Sequence, residues 1–346
     1  MTAADSTILQ TFPLGTQWPT LDPFLFCAHH LDGYPAGNGS LGPAVPLGDR
    51  QIGSDFAGID GWNMYHGSTV PGFPQHPHRG FETITYVREG RCDHTDSLGA
   101  QARFGEGDTQ WVTAGRGIVH AEMFPLVHTD EPNPLELFQI WLNLPAANKM
   151  VDPYFTMHWA EDTPRVRTTD DQGRSTTATI IAGRYGDTEA QQPPPDSWAS
   201  SPGSEVAVIH VSAEAGSTTT LPLPNNAGVH RTLYVFGGSS IDLDGQTIEA
   251  GTGAVVDPTH QLEFTAGKQG AEVLVLQGRP IGEPVARYGP FVMNTKAEIQ
   301  AAFDDYQSTQ FGGWPWDTDD PNHGDADRFA QSGERTEKPG SSAVGG

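Results

Sequence analysis

Turn-forming residues divide this chain into short segments, and this constrains its fold more than any other feature. The 346 residues include 41 glycines and 28 prolines, and the runs between them are short and rich in Val, Ile, Thr, Tyr and Trp. Such runs are typical of β-strands, and their spacing predicts two sandwiches or barrels. We therefore expect an all-β protein. The predicted strands cover residues 82–88, 109–112, 118–123, 136–144, 206–211, 231–236, 254–256, 261–264 and 272–276.

A polar, proline-rich stretch over residues 187–204 has the composition of a linker. It predicts an N-terminal domain over residues 19–186 and a C-terminal domain over residues 205–310. Residues 1–18 are predicted to be flexible. Residues 317–346 are predicted to form a disordered acidic tail, because their few large apolar side chains cannot offset the entropy lost on ordering.

One short helix is predicted near the C-terminus. Thr295 and Glu298 have the spacing of a capping box, in which each side chain satisfies a backbone N–H of the first turn. Apolar residues then recur at helical spacing, and this stripe is expected to pack on a barrel. The residues of the stripe are Ile299, Ala302, Phe303 and Tyr306.

Charge and composition exclude several classes of protein. The net charge is −24, from 43 acidic and 19 basic residues, and the sequence has no basic cluster that could displace counterions from a nucleic acid. We therefore expect no direct nucleic-acid partner. The first residues show no basic start and no apolar run of signal-peptide length, which favours a cytoplasmic protein without a membrane segment. Cys27 and Cys92 lie far apart in sequence and are predicted to be reduced thiols.

Two short motifs have the pattern of metal ligands. They are His76-Pro77-His78 and His120-Ala121-Glu122, separated by about forty residues of strand-rich sequence. In a strand, side chains two positions apart point to the same face, so each motif presents two ligands to one side of a sheet. A barrel interior would collect all four. Three imidazoles and one carboxylate suit a divalent transition metal and leave positions open for chemistry or for a small molecule.

The residues around these motifs resemble those of the pirin family, over about residues 20–310. The similar segments are Leu21-Asp22-Pro23-Phe24, HPHRGFET from His76, GDTQW from Gly107, TAGRGIVHAEM from Thr113 and GPFVMNT from Gly289. The resemblance implies a bicupin, in which two cupin β-barrels pack face to face. It also implies that the N-terminal barrel holds a metal, usually iron as Fe(II), and that the C-terminal barrel is usually empty.

By this resemblance the metal ligands are His76, His78, His120 and Glu122. The general cupin signature offers Glu82 instead, four residues after the second histidine. The family uses the glutamate two residues after the third histidine, and strand geometry agrees because Glu122 shares a face with His120. We therefore choose Glu122 and interpret Glu82 as a supporting or structural residue.

Several other residues near the motifs are weaker candidates. Arg79 and Arg116 could hold a substrate anion, although arginines in such turns more often form structural pairs. Trp111 and Phe81 could line an aromatic pocket, although core packing is the more common role. The predicted C-terminal domain, residues 205–310, has only isolated histidines, which predicts a barrel without metal. They are His210, His230 and His260.

The resemblance leads to two functional hypotheses. In the first, the protein is an oxygenase of the quercetin 2,3-dioxygenase type that combines a flavonol or similar aromatic substrate with O2. Glu122 would then act as the general base and take the proton of the substrate hydroxyl. In the second, the iron is a redox sensor whose oxidation state alters the surface that a partner protein binds. Other divalent transition metals also suit the ligand set.

Overall fold

The computed structural model describes residues 7–340 and divides the chain into two compact units. The first unit combines the residues up to 28 with residues 141–143 and 163–282, and we call it the aliphatic unit. The second combines residues 29–140 and 144–162 with those from 283 onward, and we call it the histidine unit. Neither unit is continuous in sequence.

Short strands make up most of the regular structure in both units. The strands of the first half of the chain are β1 Ile8–Pro13, β2 Gln17–Trp18, β3 Phe24–Tyr34, β4 Gly72–His78, β5 Phe81–Glu89, β6 Arg91–Asp96, β7 Gln101–Gly105, β8 Asp108–Thr113, β9 Ile118–Met123, β10 Asn133–Asn143, β11 Tyr154–His158, β12 Arg165–Thr169, β13 Ser175–Ala182, β14 Arg184–Tyr185 and β15 Thr188–Glu189.

The second half continues this pattern and adds one α-helix. Its elements are β16 Ala207–Ala213, β17 Thr218–Leu221, β18 His230–Gly238, β19 Ser240–Leu243, β20 Gln246–Glu249, β21 Thr252–Val256, β22 Leu262–Ala266, β23 Ala271–Gly278, β24 Ala286–Tyr288, β25 Phe291–Met293, α1 Lys296–Thr309, β26 Phe329–Ser332 and β27 Arg335–Glu337. Short 3-10 turns lie at Ile59–Gly61, Ala146–Asn148, Trp198–Ser200 and Gln310–Gly312. The predicted strands are all present, and the all-β prediction is confirmed.

The histidine unit is built on two six-stranded sheets. One has the strand order β27-β26-β7-β6-β9-β4. The other has the order β11-β8-β5-β10-β3-β2, and β2 together with the ends of β3 and β10 is counted with the aliphatic unit. Side chains from both sheets meet in one buried apolar cluster, so the sheets form the walls of a single barrel. Among its members are Val87, Cys92, Phe104 and Leu137.

The aliphatic unit repeats this arrangement with a seven-stranded and a four-stranded sheet. The larger sheet has the order β1-β21-β18-β23-β16-β13-β12, and the smaller has the order β17-β22-β19-β20. Aliphatic and aromatic side chains from the two sheets fill the space between them. They include Val211, Leu233, Leu243, Phe264 and Val275, each buried.

The compact units correct the domain boundaries predicted from sequence. Residues 163–186 belong to the aliphatic unit, because β13 pairs with β16 in the larger sheet. Residues 187–204 therefore lie within that unit and do not separate two domains. Part of the predicted flexible segment 1–18 is a strand, since β1 pairs with β21 at the edge of the same sheet. Residues 1–6 lie outside the described residues.

The predicted disordered tail is also corrected over residues 317–340. Strand β26 extends a sheet of the histidine unit by pairing with β7. The buried Arg103 donates to the carbonyl oxygens of Gly324 and Ala326, at 2.7 and 2.8 Å. Polar contacts of this kind order a segment that has few apolar side chains, which is why composition did not reveal them. The end of the predicted tail, residues 341–346, lies outside the described residues.

The helix prediction is confirmed. Thr295 caps α1, and Glu298 completes the capping box by accepting from the Thr295 backbone N–H at 2.7 Å. The helix packs its Ile299 and Ala302 against Phe291 within the histidine unit. Over residues 7–340 the structure contains no helix of the length and apolar character needed to cross a membrane.

Candidate metal centre

The two histidine motifs lie on neighbouring antiparallel strands, β4 and β9. Their register places His76 opposite His120 and His78 opposite Ile118, so all three imidazoles lie on the same face of the sheet. Strand β4 is the edge strand of this sheet. An edge position tolerates Pro74 and Pro77, which cannot donate a backbone hydrogen bond.

The three imidazoles converge. One ligand nitrogen from each of His76, His78 and His120 lies within 4.8 Å of the other two. The Nε2 atoms of His76 and His120 are 3.0 Å apart. The three ring centroids are separated by 4.5 to 4.9 Å. His78 and His120 are buried, and His76 is half-buried.

Backbone carbonyls orient two of the rings. Nδ1 of His76 lies 2.9 Å from the carbonyl oxygen of Pro74, and Nδ1 of His78 lies 3.4 Å from that of Pro290. A carbonyl only accepts, so each Nδ1 carries the proton and each Nε2 keeps its lone pair. Within residues 7–340, Nδ1 of the buried His120 has no hydrogen-bond partner.

Burial keeps the three rings in the neutral form that binds metals. The pKa of His76 is lowered to about 4, and loss of water contact is the largest cause. The same cause, with repulsion from neighbouring histidines, places the pKa of His78 and of His120 well below 6.5. Neutral imidazole is the ligand form of histidine, so these rings need not release a proton at neutral pH before binding a metal.

Glu122 lies next to the cluster and is held by two side chains. Its Oε2 is 3.9 Å from Nε2 of His120. The group of ligand atoms that all lie within 4.8 Å of one another comes from the three histidines and does not include Glu122. Thr85 donates to Oε1 at 3.0 Å, and Gln139 donates to Oε2 at 2.7 Å. Burial raises the pKa of Glu122, and its partners together with His94 oppose this rise.

Glu82 is separate from the cluster. It is fully buried, lies opposite Thr113 in the β5–β8 pair, and accepts a hydrogen bond from the Thr113 hydroxyl at 2.7 Å. This contact supports the structural interpretation of Glu82.

Three residues of the site were not selected from the sequence. Thr85 and Gln139 bind Glu122, and the buried His94 lies opposite Glu122 in the β6–β9 pair. The His94 ring centroid is 5.4 Å from that of His120, and its Nε2 is 3.2 Å from Oδ2 of Asp96. The alternation of side chains along β5, β6 and β10 predicts which of them face inward. Placing those side chains beside Glu122 also requires the strand register, which the sequence does not contain.

The other sequence candidates near the motifs either pair with other side chains or are buried. Arg79 donates to the Arg116 carbonyl, pairs with Asp305 and stacks over the Phe311 ring. Arg116 is exposed and pairs with Asp152 at 2.8 Å. Phe81 and Trp111 are fully buried.

The histidines of residues 205–310 do not form a ligand cluster. His210 pairs with Glu272 at 2.5 Å, His230 contacts the Asp22 carbonyl at 3.0 Å, and His260 lies 3.3 Å from Asp257. The residues 7–340 contain one group that could hold a metal ion, and it is the His76, His78 and His120 group. Cys27 and Cys92 are buried free thiols.

The donor set fits a divalent transition metal. Two nitrogens bound at right angles, each about 2.1 Å from one ion, would lie about 3.0 Å apart, the separation between His76 and His120. The rings are neutral, two of them are oriented by backbone carbonyls, and a carboxylate lies beside them. These are the properties of a first ligand shell together with the groups that orient it.

Fold and site together define a bicupin with one candidate metal centre among residues 7–340, the histidine cluster. The pirin family model matches residues 47–142, and the pirin C-terminal cupin domain matches residues 208–312. The chain belongs to the pirin family. Both barrels are therefore cupin domains, and the predicted family, the all-β class and the presence of two cupin barrels are confirmed.

Relatives and solved structures agree with this assignment. A Pseudomonas aeruginosa protein named "Putative quercetin 2,3-dioxygenase" is 39% identical over 240 residues, which are 69% of this chain and 79% of that protein. A Caulobacter vibrioides pirin-like protein is 35% identical over 69% of this chain and 80% of its own length. The crystal structure of an Acinetobacter baumannii quercetin 2,3-dioxygenase matches with a TM-score of 0.69 and 26% identity, over 89% of this chain and 98% of that one.

Proposed function

We propose that this protein is an iron-dependent oxygenase of the quercetin 2,3-dioxygenase type, acting in the cytoplasm on a flavonol or a similar aromatic compound. The convergence of His76, His78 and His120 beside Glu122 carries this proposal. The names of the Pseudomonas relative and of the Acinetobacter structure support the choice of reaction.

The metal would be held by His76, His78, His120 and Glu122. Three neutral imidazole nitrogens and one carboxylate oxygen suit Fe(II), and they also accept other divalent transition metals. When bound, the ion would supply Lewis-acid and redox chemistry toward the substrate and O2.

Glu122 is the proposed general base. A buried carboxylate with a raised pKa is a stronger base than an exposed one, so it is suited to take the proton of a substrate hydroxyl. Thr85 and Gln139 each donate to one of its oxygens, and they fix the plane of the carboxylate. Proton transfer to Glu122 leaves the substrate as an anion, and its aromatic ring is then more easily oxidised.

Oxygen uptake tests the proposal. Protein purified without oxygen and loaded with Fe(II) should consume O2 when quercetin is added, and the His120→Ala variant should not. Glu122→Gln keeps the size of the side chain but removes the base, so we expect turnover to fall by about 100-fold to 10,000-fold. His210→Ala, which removes a histidine of the aliphatic unit, should consume O2 like the wild type.

Iron occupancy decides between the two hypotheses. If fully iron-loaded protein consumes no O2 with quercetin or related flavonols, the oxygenase proposal is wrong. The redox-sensor hypothesis would then be tested by comparing partner binding of the Fe(II) and Fe(III) forms. Oxygen uptake that survives His120→Ala would show that the reaction does not depend on this cluster.

A further inference from the structure

We propose that residues 314–323, which we call the C-terminal strap, position His76 for metal binding, and that Trp316 and Asp319 are the positioning residues. The proposal rests on the metal centre of the proposed function but not on its reaction with O2. The strap lies in the histidine unit and follows residue 312, the last residue of the pirin C-terminal cupin match.

Strand β4, which carries His76, is weakly fixed by its own sheet. Among residues 7–340 it has a neighbouring strand on one side only, and Pro74 and Pro77 have no N–H to donate. Its register with β9 shifts between Phe73 and His76. Phe73 lies opposite Glu122 and His76 opposite His120, so the stretch between them has one more residue on β4 than on β9. Such a bulge interrupts the hydrogen bonds between the strands, and His76 is the first residue after it.

The strap supplies hydrogen bonds at this bulge. Gln75 lies within the irregular stretch and directly precedes His76. Its backbone N–H donates to the carbonyl oxygen of Asp319 at 2.7 Å, and its side-chain Nε2 donates to Oδ1 of Asp319 at 2.8 Å. One residue of the strap therefore holds β4 at the point where its pairing with β9 is irregular.

The strap also contacts β6, the strand on the other side of β9. Trp316 Nε1 donates to the carbonyl oxygen of Asp96 at 2.8 Å, and His323 Nε2 lies 3.0 Å from the carbonyl oxygen of His94. In the β6–β9 pair, Asp96 lies opposite the ligand His120. The strap thus links β4, beside one proposed ligand, to β6, opposite another.

Buried charges anchor the far end of the strap. The His323 backbone N–H donates to Oδ2 of Asp93 at 2.9 Å, and Asp93 pairs with Arg103 at 2.6 Å. Both charged side chains are almost completely buried. Within the strap, Trp314 Nε1 donates to the Thr318 carbonyl oxygen at 2.8 Å. Because the strap is fixed in this way, it can restrain β4 and does not simply follow its movements.

Restraint of β4 would act on metal binding through the distance between the ligand nitrogens. The Nε2 atoms of His76 and His120 are 3.0 Å apart, a separation that suits two ligands of one ion. Groups that fix the orientation of ligands typically change metal affinity by about 10-fold to 100-fold. Loss of the strap contacts should therefore weaken metal binding without removing any ligand.

Titration of the metal-free, full-length protein with Co(II) tests the inference. The visible absorption of bound Co(II) reports both its affinity and the geometry of its ligands. The double variant Trp316→Ala/Asp319→Ala should bind Co(II) at least about tenfold more weakly than the wild type, with altered absorption bands. Asp319→Ala alone removes one hydrogen bond at an exposed residue, so it keeps the test usable if the double variant does not fold. It should weaken binding by about threefold to tenfold.

Two matched variants separate positioning from charge. Asp319→Asn keeps the side-chain oxygen that accepts from Gln75, and it should bind Co(II) within about twofold of the wild type. Asp317→Ala removes an exposed carboxylate from the same segment, and it should also change the affinity by less than about twofold. Weakening by Asp317→Ala equal to that by Asp319→Ala would show an effect of net charge and would overturn the inference.

Amide hydrogen exchange of the metal-free proteins locates the effect without any metal. Peptides that cover β4 should exchange at least about tenfold faster in the double variant than in the wild type, because the strap no longer restrains the strand. Peptides that cover β22 of the aliphatic unit should exchange at the same rate in both proteins. Weaker Co(II) binding without faster exchange in β4 would show that the strap does not act through the position of His76.

The results also separate this inference from the metal centre itself. If the wild type binds Co(II), His120→Ala does not, and the double variant binds as tightly as the wild type, the role of the strap is wrong and the metal centre stands. If the wild type itself binds no Co(II), the metal centre is wrong and the role of the strap fails with it.

Discussion

The two barrels follow the same strand plan and differ in the side chains that they turn inward. In the histidine unit, the neighbouring strands β7-β6-β9-β4 follow the same order as β20-β19-β22-β17 in the aliphatic unit. In the other sheet of each unit, β8-β5-β10-β3 follow the same order as β21-β18-β23-β16. Strand β9 carries His120 and Glu122 at alternate positions. Its counterpart β22 carries Leu262, Phe264 and Ala266 in the same alternation, all buried.

The neighbouring strands differ in the same way. Opposite β9, strand β4 supplies His76 across from His120. Opposite β22, strand β17 supplies Leu221 across from Leu262 and Thr219 across from Phe264. In the histidine unit, nitrogen donors therefore converge on these strands. In the aliphatic unit, apolar side chains pack on the corresponding strands.

The difference teaches that the cupin scaffold does not by itself make a metal site. Burial of Leu and Phe side chains contributes about 1.5–3 kcal/mol each to stability. Burial of imidazoles and carboxylates costs free energy unless partners satisfy them. In the histidine unit, imidazoles and a carboxylate are buried at the candidate site despite this cost. In the aliphatic unit, the corresponding strand positions hold apolar core residues.

The largest expected effect is on metal content. His120→Ala should reduce the metal bound per chain from about one to nearly none, because it removes one of three converging ligands. Mass spectrometry of metal after purification measures this, and circular dichroism should show that the strands remain folded. His210→Ala is the matched control from the aliphatic unit and should keep its metal. Metal loss in His210→Ala but not in His120→Ala would contradict the assignment of the metal to the histidine unit.

A substitution in the core of the aliphatic unit tests the other side of the comparison. Phe264→Ala should lower the free energy of unfolding by about 3–5 kcal/mol, since it leaves a cavity in a packed core. Urea unfolding followed by circular dichroism measures the change. The metal content of this variant should match that of the wild type. A change in stability below about 1 kcal/mol would mean that β22 does not carry the core of its barrel.

A smaller effect is expected from the buried Lys149 of the histidine unit. Its Nζ donates to the carbonyls of Gly80 and Val292 at 2.8 and 3.2 Å, and burial lowers its pKa to about 8 from 10.5. The unfolded chain therefore binds more protons between pH 8 and 10.5, so unfolding becomes less favourable as the pH rises through this window. The gain should be on the order of 1–3 kcal/mol.

Comparison with Lys149→Met isolates this contribution. Urea unfolding of both proteins at pH 7.5 and pH 10 should show wild type gaining stability relative to the variant at the higher pH. Other groups that titrate in this range are common to both proteins and cancel in the difference. A difference that does not change with pH would show that the Lys149 pKa is not lowered in the folded protein.

Local features were predictable because they depend on neighbours in sequence. Residues 118–123 were predicted as a strand, and β9 spans Ile118–Met123. The Thr295–Glu298 capping box and the helix after it were also predicted, because capping involves residues only three positions apart. The pairing of His76 with His78 on one face follows from strand alternation alone.

Contacts between distant strands were not predictable in this way. Glu122 was chosen from the sequence, but Thr85 and Gln139, which hold it, come from β5 and β10. The Pro290 carbonyl that orients His78 comes from 212 residues further along the chain. The pattern of a strand shows which face is apolar, but it does not show which other strand it will pair with.

The sequence by itself determined the strand-rich class, the helix, the family and the candidate ligands, since each depends on periodicity or on a short motif. Only the tertiary structure decided how the chain is divided between the barrels. Strand β1 joins the aliphatic unit, and residues from 283 onward return to the histidine unit. These outcomes depend on backbone hydrogen bonding and packing between segments far apart in sequence, which composition and local pattern do not record.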